Sequence, residues 1–385
     1  MSLTLPSSAQ VVIIGGGIIG VSTAYHLAAA GVRNVVLLDM GPLGGGSTGR
    51  AAGGIRTQFS DRLNIDLAMR SMEILKSFPQ RFNQEIDLQQ VGYLFLLDSA
   101  DTVADFERHL RLQNDLGLPN RMVSPAEAQQ LSPYIVTDGL LAASYSPHDG
   151  YCTPESVVLG FATAARRHGA QLIPHCAVTG IETDGTTISA VRTEAGTIRT
   201  DTVICAAGAW SGSVGDWVGV SLPVTPLRRG VVYTEPLPGC RPGLPFTIDF
   251  GTAFYYRNEG RGLLLGYPDP DEQSGFDQSP TDRWLPALGR ALHRRAPRLV
   301  DVGIAGGWAG LYEVTPDHNG LVGEAAETSR FLYAAGFSGH GFMMGPAVGE
   351  VVRDLYLDAE PFTDVTGFRA GRFASADVRP ERNVV

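Results

Sequence analysis

Residues Val11 to Asp39 constrain this chain more than any other stretch; they read VVIIGGGIIGVSTAYHLAAAGVRNVVLLD. Val11–Ile14 is a β-branched run of the length expected for a fully buried strand. G-x-G-x-x-G follows at Gly15, Gly17 and Gly20. Ile18, Ile19, Val21, Ala24, Leu27 and Ala28 then recur at helical spacing, and Gly31 stops the helix. Val35–Leu38 is a second apolar strand, and it ends in Asp39.

Strand, glycine turn, helix, strand and acid in this order predict a dinucleotide site. Gly15 permits the strand-to-helix turn, Gly17 lets backbone approach a pyrophosphate, and Gly20 lets helix and strand pack closely. The helix N-terminus offers N–H groups and partial positive charge to phosphates. Asp39, about twenty residues beyond Gly20, is positioned for the ribose hydroxyls and disfavours a 2′-phosphate.

At 385 residues the chain is too long for one compact core and suits two domains. It carries 30 basic and 40 acidic side chains, a formal charge of −10, with no long run of either sign. That argues against a nucleic-acid or anionic-membrane surface. No apolar run is long enough to span a bilayer, and the apolar N-terminal stretch lacks a basic leader; a soluble, cytoplasmic protein is expected. The four cysteines, Cys152, Cys176, Cys205 and Cys240, form no CxxC and no zinc spacing, so free thiols and no metal are expected.

Residues 40–60 read MGPLGGGSTGRAAGGIRTQFS. Placed directly after the second strand, this small-residue stretch is read as a loop against a flat ligand, with Arg50 and Arg56 as anion-capturing forks. Helical patterns are predicted over Asp61–Phe82, Asp101–Leu116 and from Pro154 to Gly169, with a capping box at Ser124 and a strand over Val91–Leu97. His148 and Asp149 are read as turn formers before Pro154 rather than as a catalytic pair. Residues 171–208 are read as a meander with hairpins at Asp184-Gly185 and Ala195-Gly196; it ends on strand Thr202–Cys205 and the small-residue turn Ala206-Ala207-Gly208-Ala209-Trp210-Ser211. Residues 223–312 are read as an antiparallel sheet with strands Val231–Thr234, Thr247–Phe250, Ala253–Arg257 and Gly262–Tyr267, and a helix over Pro280–Ala296. Tyr255, Tyr256 and Tyr267 fall on those strands. Finally, Phe331–Leu355 runs from a strand through Gly336-Phe-Ser-Gly-His-Gly-Phe-Met-Met-Gly-Pro346 into a helix whose N-terminus would stabilise negative charge.

Taken together, these segments resemble the D-amino-acid oxidase-like FAD enzymes, the glycine and sarcosine oxidase group. The resemblance rests on VIIGGGIIG, GSTGRAAGGIRTQFS, ICAAGAWS, GLYEVTPDHNGLVG and GFSGHGFMMGPAVGE. The last block and GGIRTQF look nearest to the β subunits of sarcosine oxidase and L-proline dehydrogenase. The resemblance implies an α/β fold: a discontinuous Rossmann-type FAD domain (1–88, 146–222 and 313–385) and an α+β substrate domain (89–145 and 223–312) with an antiparallel sheet. It implies FAD, with Gly15, Gly17, Ile18, Ile19 and Gly20 at the pyrophosphate, Asp39 and Met40 at the ribose, and Val178 at the adenine. Gly46, Ser47, Thr48, Arg50, Ala52, Gly53, Gly54 and Ile55 would follow the cofactor, with Ala206, Ala207, Gly208, Trp210 and Gly310. Gly336, Ser338, Gly339, His340, Gly341, Phe342 and Met343 would sit at the flavin's pyrimidine end.

Where the chain departs from the group, further expectations follow. The position of a flavin-tethering Cys falls at Ala309 or Gly310, and no His near Pro154 matches an FMN tether; the flavin is expected to be non-covalent. The group's carboxylate-gripping Arg matches Arg56, and its partner Lys falls at Met343. The Lys credited with oxygen activation falls at Leu264, and a nearby His at Pro268, which tilts the reading from oxidase towards dehydrogenase. The implied activity is oxidation of the C–N bond of an amino acid or secondary amine (sarcosine, proline or glycine-like) to an imine, by hydride transfer to flavin N5. Arg56 would fix the carboxylate, Tyr255, Tyr256, Tyr267 and Trp308 would wall the pocket, and His340 and Met343 would flank the flavin. The acceptor would be O2 or another oxidant, and the protein a homo-oligomer or a β-type subunit. Two alternatives share these residues: a tailoring oxidase or monooxygenase on a larger molecule, which Met343 favours, and a subunit active only in a hetero-oligomer.

Overall fold

The computed structural model describes residues 5–374 and 378–384. Val11–Ile14 lies inside a six-stranded sheet ordered Leu321–Glu324, Phe331–Ala335, Val203–Cys205, Val11–Ile14, Val35–Leu38, Gln171–Ile173. All neighbours run parallel except Leu321–Glu324, which is antiparallel to Phe331–Ala335. Short runs without polar interruption suit this place, because a parallel sheet is covered on both faces.

Alternation along each strand feeds two different cores. Val11, Ile13, Val35, Leu37 and Ile204 point into a helical layer. That layer contains Ile18–Ala29, Pro154–Arg167, Arg62–Lys76 and Gly341–Tyr356. Val12, Ile14, Val36, Leu38, Val203 and Cys205 point the other way, onto Ile181, Ile188, Val191 and Ile198 of a three-stranded antiparallel sheet. That small sheet is Val178–Asp184, Thr187–Thr193 and Gly196–Arg199, with its hairpin glycines Gly185 and Gly196 at φ +65° and +140°. The meander expected over 171–208 is therefore shorter. Gln171–Ile173 is an edge strand of the parallel sheet and Val203–Cys205 an interior one, each paired to strands distant in sequence.

The eight-stranded sheet is ordered Ile304–Val314, Thr225–Thr234, Gly262–Gly266, Phe254–Glu259, Phe246–Asp249, Tyr93–Leu97, Ala142–Ser146, Arg121–Val123. It is mixed rather than wholly antiparallel, because Phe246–Asp249 runs parallel to Tyr93–Leu97 and so joins the two chain segments. One face packs Leu94, Leu96, Tyr256, Leu263 and Leu265 against Trp284, Leu288 and Leu292 at helix Leu285–Arg295. The opposite face carries Tyr93, Phe95, Phe246 and Ile248. Ile304–Val314 pairs with Thr225–Thr234 along nearly its whole length, although its glycines give no strand signal.

Three helix boundaries differ from expectation. Asp61–Phe82 splits at Ser77 into Arg62–Lys76 and Phe78–Phe82, with Asp61 accepting the Leu63 N–H as N-cap. The last predicted helix starts at Leu285 rather than Pro280. The helix expected over Asp101–Leu116 spans Ala100–Asp115, with the Ser99 hydroxyl accepting the Thr102 N–H as N-cap. Among the described residues no helix is long and apolar enough to cross a membrane.

Candidate active site

A cleft of about 520 Å³ runs from Asp39, Met40 and Val178 to Tyr255 and Met343. Its nucleotide end is built from backbone. Gly15 has φ +110°, and a Cβ there would lie 2.2 Å from the Ala206 carbonyl, so only glycine fits between the two strands. A Cβ at Gly20 would lie 1.8 Å from the Gly15 carbonyl; Gly20 serves helix packing and does not line the cleft. Asp39 accepts the Gly16 and Gly41 N–H groups at 2.6 Å each. Burial pushes its pKa up, against those two bonds and the charge of His175. A carboxylate has further lone pairs, so two are left for ribose hydroxyls. The Thr48 hydroxyl accepts the Ile18 N–H at 3.1 Å, which fastens the small-residue loop to the start of the helix.

That loop and the C-terminal glycine turn line the middle. Gly46, Ser47, Thr48, Arg50, Ala52, Gly53 and Gly54 face Ala206, Ala207, Gly208, Trp210 and Gly310 across the cleft. Ser338, Gly339, His340, Gly341, Phe342 and Met343 close it from the start of Gly341–Tyr356. His340 is buried with its ring edge-on to Phe59, 5.1 Å between centroids. Burial, with the charges of Arg56 and His318, holds its pKa well below the usual histidine range, so it is neutral. Glu313 accepts the Gly336 N–H at 3.0 Å, and burial pushes its carboxyl up to about 7.

The far end is made of side chains. Arg56 is 2% exposed, with its Cζ 4.1 Å from the Phe59 ring centroid. Its terminal nitrogens donate to the carbonyls of Gln58 at 2.6 Å and Asn383 at 2.5 Å. Burial lowers its pKa, and among the described residues no carboxylate stands within ion-pair distance. Behind it Asp149 accepts the Thr57 N–H and hydroxyl at 2.9 Å each; burial pushes its carboxyl up to about 6. Tyr93, Phe246, Tyr255 and Tyr312 line the same cleft, and Tyr93 and Tyr312 are close enough to act on the Arg56 charge. Tyr93 stacks on Phe246 at 4.5 Å and 7°. The Tyr255 ring lies over Gly266 of the next strand, where a Cβ would come within 2.0 Å of it. Burial raises the pKa of all three phenols.

Several expected residues fall elsewhere. Tyr256 faces away from the cleft, as the neighbour of Tyr255 on a strand must; its hydroxyl meets Ser132 in the opposite core. Tyr267 lies just past its strand and packs on the same core. Trp308 gives its indole N–H to the Arg50 carbonyl at 2.9 Å and lines a separate, smaller cavity with Trp284. Ile55 and Gly336 also lie outside the cleft lining. Conversely Tyr93, Arg229, Phe246, Ile248, Gln278, Tyr312 and Glu313 line it without having been singled out as wall residues. Two-residue alternation was the signal that separates Tyr255 from Tyr256. Nothing local marks Arg229 or Tyr93, which depend on strand order.

A glycine-lined Rossmann cleft whose far end abuts an eight-stranded sheet defines a flavin-type dinucleotide enzyme. The family model described as FAD dependent oxidoreductase (DAO) matches residues 10–355, and the chain belongs to that family. It is 31% identical over 392 residues to mitochondrial sarcosine dehydrogenase of Homo sapiens, covering 97% of this chain and 42% of that protein. The chain thus spans less than half of that relative. L-proline dehydrogenase from P. horikoshii superposes with a TM-score of 0.90 at 34% identity, covering 96% of this chain and 99% of that one. Glycine oxidase from Geobacillus kaustophilus superposes at 0.84 with 25% identity, covering 94% and 98%. The chain is an FAD-dependent oxidoreductase, and the bare Gly15–Gly17 backbone, Asp39 and the Ser338–Met343 turn fit that cofactor.

Proposed function

We propose that this protein oxidises the C–N bond of an amino acid or secondary amine to the imine. One observation carries the reading: Arg56 is a buried guanidinium in the cleft wall, against the rings of Phe59 and Phe95, with no carboxylate partner among the described residues. An unpaired buried charge is costly, and a substrate carboxylate removes that cost. Held by the Gly15–Ile18 turn, Asp39 and the Ser338–Met343 turn, FAD would supply the acceptor for hydride from the carbon beside the nitrogen.

The chain's own residues orient and exclude. Two of the five Arg56 donors go to backbone carbonyls, which fixes the fork, and the remaining N–H groups are available to the carboxylate. Tyr93, Phe246, Tyr255 and Tyr312 hold the carbon skeleton and keep water out. Met343 fills the position of the family Lys with an apolar thioether, and neutral His340 beside it adds no charge. Among the described cleft residues His340 is neutral, the phenols are protonated, and the carboxyls of Asp39 and Glu313 are engaged by backbone N–H groups. The amine therefore binds deprotonated.

The lobes divide as 1–88, 146–222 and 313–385 for FAD and 89–145 and 223–312 for substrate. The flavin is non-covalent: Cys176, beside Val178 at the nucleotide end, is the described thiol that lines the cleft. Leu264, buried and apolar, leaves the oxygen-activating position without a cation, which favours an acceptor other than O2. The four unpaired thiols suit the cytoplasm. Product analysis tests the reading. Sarcosine should give formaldehyde and glycine in equal amounts, and proline a cyclic imine trapped by an aromatic aminoaldehyde. Consumption of NADH with a hydroxylated product would select a monooxygenase instead.

A further inference from the structure

The cleft carries a second unpaired guanidinium. Arg229 lies on Thr225–Thr234 opposite Gly310, and its Cζ sits 5.3 Å from the Tyr312 ring centroid. It lines the same cleft as Arg56. The neighbouring Arg228 points to the other side and is paired with Glu272 and Asp277. Arg229 has no carboxylate within ion-pair distance among the described residues. Of its five donors it spends one, at 3.2 Å to the Arg228 carbonyl, while its Nε is buried without an acceptor.

Arg56 and Arg229 act on one ring: the charge of each draws down the pKa of the Tyr312 phenol against its burial. The acids lining the cleft do not neutralise them. Asp39 is committed at the nucleotide end to Gly16 and Gly41, and Glu313 holds the Gly336 N–H. The third cleft arginine, Arg50, is held by Gln278. Two cations lining one cleft repel each other, and each anion that binds relieves part of that cost. A substrate with one carboxylate answers one of them and leaves the other.

We propose that the preferred substrate is an amino acid with a second carboxylate, such as an N-carboxyalkyl glycine, with Arg56 on one carboxylate and Arg229 on the other. This rests on the amine-oxidising reading above. The phosphates of FAD do not compete for Arg229, because they belong at the Gly15–Ile18 end.

The test uses the FAD-loaded protein and two acids that have CH2 where the amines have N–H. Butyrate stands for sarcosine and glutarate for iminodiacetate; neither has a C–N bond to oxidise. Affinity is read by calorimetry and by perturbation of the flavin band. Glutarate should bind roughly 10- to 100-fold more tightly than butyrate, the range of a charge-assisted pair. Arg229→Gln should remove that preference by weakening glutarate at least 10-fold more than butyrate. Equal affinities in the wild type, no binding of either acid, or equal weakening of both by Arg229→Gln would overturn the proposal. If Arg229→Gln does not retain FAD, Arg229→Lys should reduce the glutarate preference severalfold, and an unchanged preference there overturns it. Binding needs no turnover, so the outcomes separate. Glutarate preference without flavin reduction by any amine leaves the dianion site standing and removes the amine reading.

Discussion

The two ends of the cleft are built differently. At the nucleotide end the contacts come from backbone and small residues of consecutive sequence, Gly15 to Ile19 and Gly46 to Gly54. At the far end, where we propose the substrate binds, the lining comes from single side chains, Arg56, Tyr93, Arg229, Phe246, Tyr255 and Tyr312, each on a different stretch of chain. The backbone cradle tolerates almost no change at Gly15 and Gly53, where an added Cβ would lie 2.2 Å and 2.3 Å from the carbonyl oxygens of Ala206 and Cys152. A side-chain wall can be altered one residue at a time without moving the scaffold, which is how one fold serves many substrates.

Variants at each end should separate these behaviours. The largest effect is expected for Gly15→Ala, which combines φ +110° with a Cβ 2.2 Å from the Ala206 carbonyl. Strain of about 1–3 kcal/mol plus the clash should give protein that emerges from gel filtration without its yellow colour. Arg56→Gln should keep the flavin but lower kcat/KM for a carboxylate substrate by roughly 100-fold, about 2.7 kcal/mol, seen mainly in KM. Loss of flavin from that variant as well would mean that the two ends are not independent.

Tyr255→Phe and Tyr256→Phe make a matched pair on adjacent residues. The first should raise KM about 3- to 10-fold by removing a phenol from the cleft. The second should leave kinetics alone and lower the melting temperature, because the lost hydroxyl leaves Ser132 short of a partner in the core. The smallest effect is a pH dependence. Burial raises the Glu313 carboxyl from 4.5 to about 7, so the folded protein holds a proton that the unfolded chain releases. The resulting stabilisation is complete below about pH 4.5 and is lost as pH rises through about 7. The melting temperature of Glu313→Gln relative to wild type should therefore rise between pH 5 and pH 8. Asp149, raised from 3.8 to about 6, acts in the same direction over its own window.

The same contrast explains what could be read from the residues alone. The turn at Gly15, the acid at Asp39, the Arg50–Arg56 loop and the His340 turn each sit in one uninterrupted stretch, so their geometry is legible there. The substrate wall depends on which strands pair and in what register, and that is set by contacts far apart in sequence. Tyr93 reached the cleft because Phe246–Asp249 lies beside Tyr93–Leu97, a parallel pairing that no hairpin signal announces. Arg229 and Tyr312 meet because Ile304–Val314 is a long strand despite the glycines at 306, 307 and 310. Trp308, expected in the wall, has its indole N–H engaged with the Arg50 carbonyl.

Rapid anaerobic mixing of the FAD-loaded protein with sarcosine, proline, glycine and iminodiacetate decides whether an amine donates electrons here. The yellow band should bleach with at least one of them, and bleach far more slowly in Arg56→Gln. If every amine leaves the band untouched while dithionite removes it, the cleft holds a competent flavin and C–N oxidation is not its chemistry.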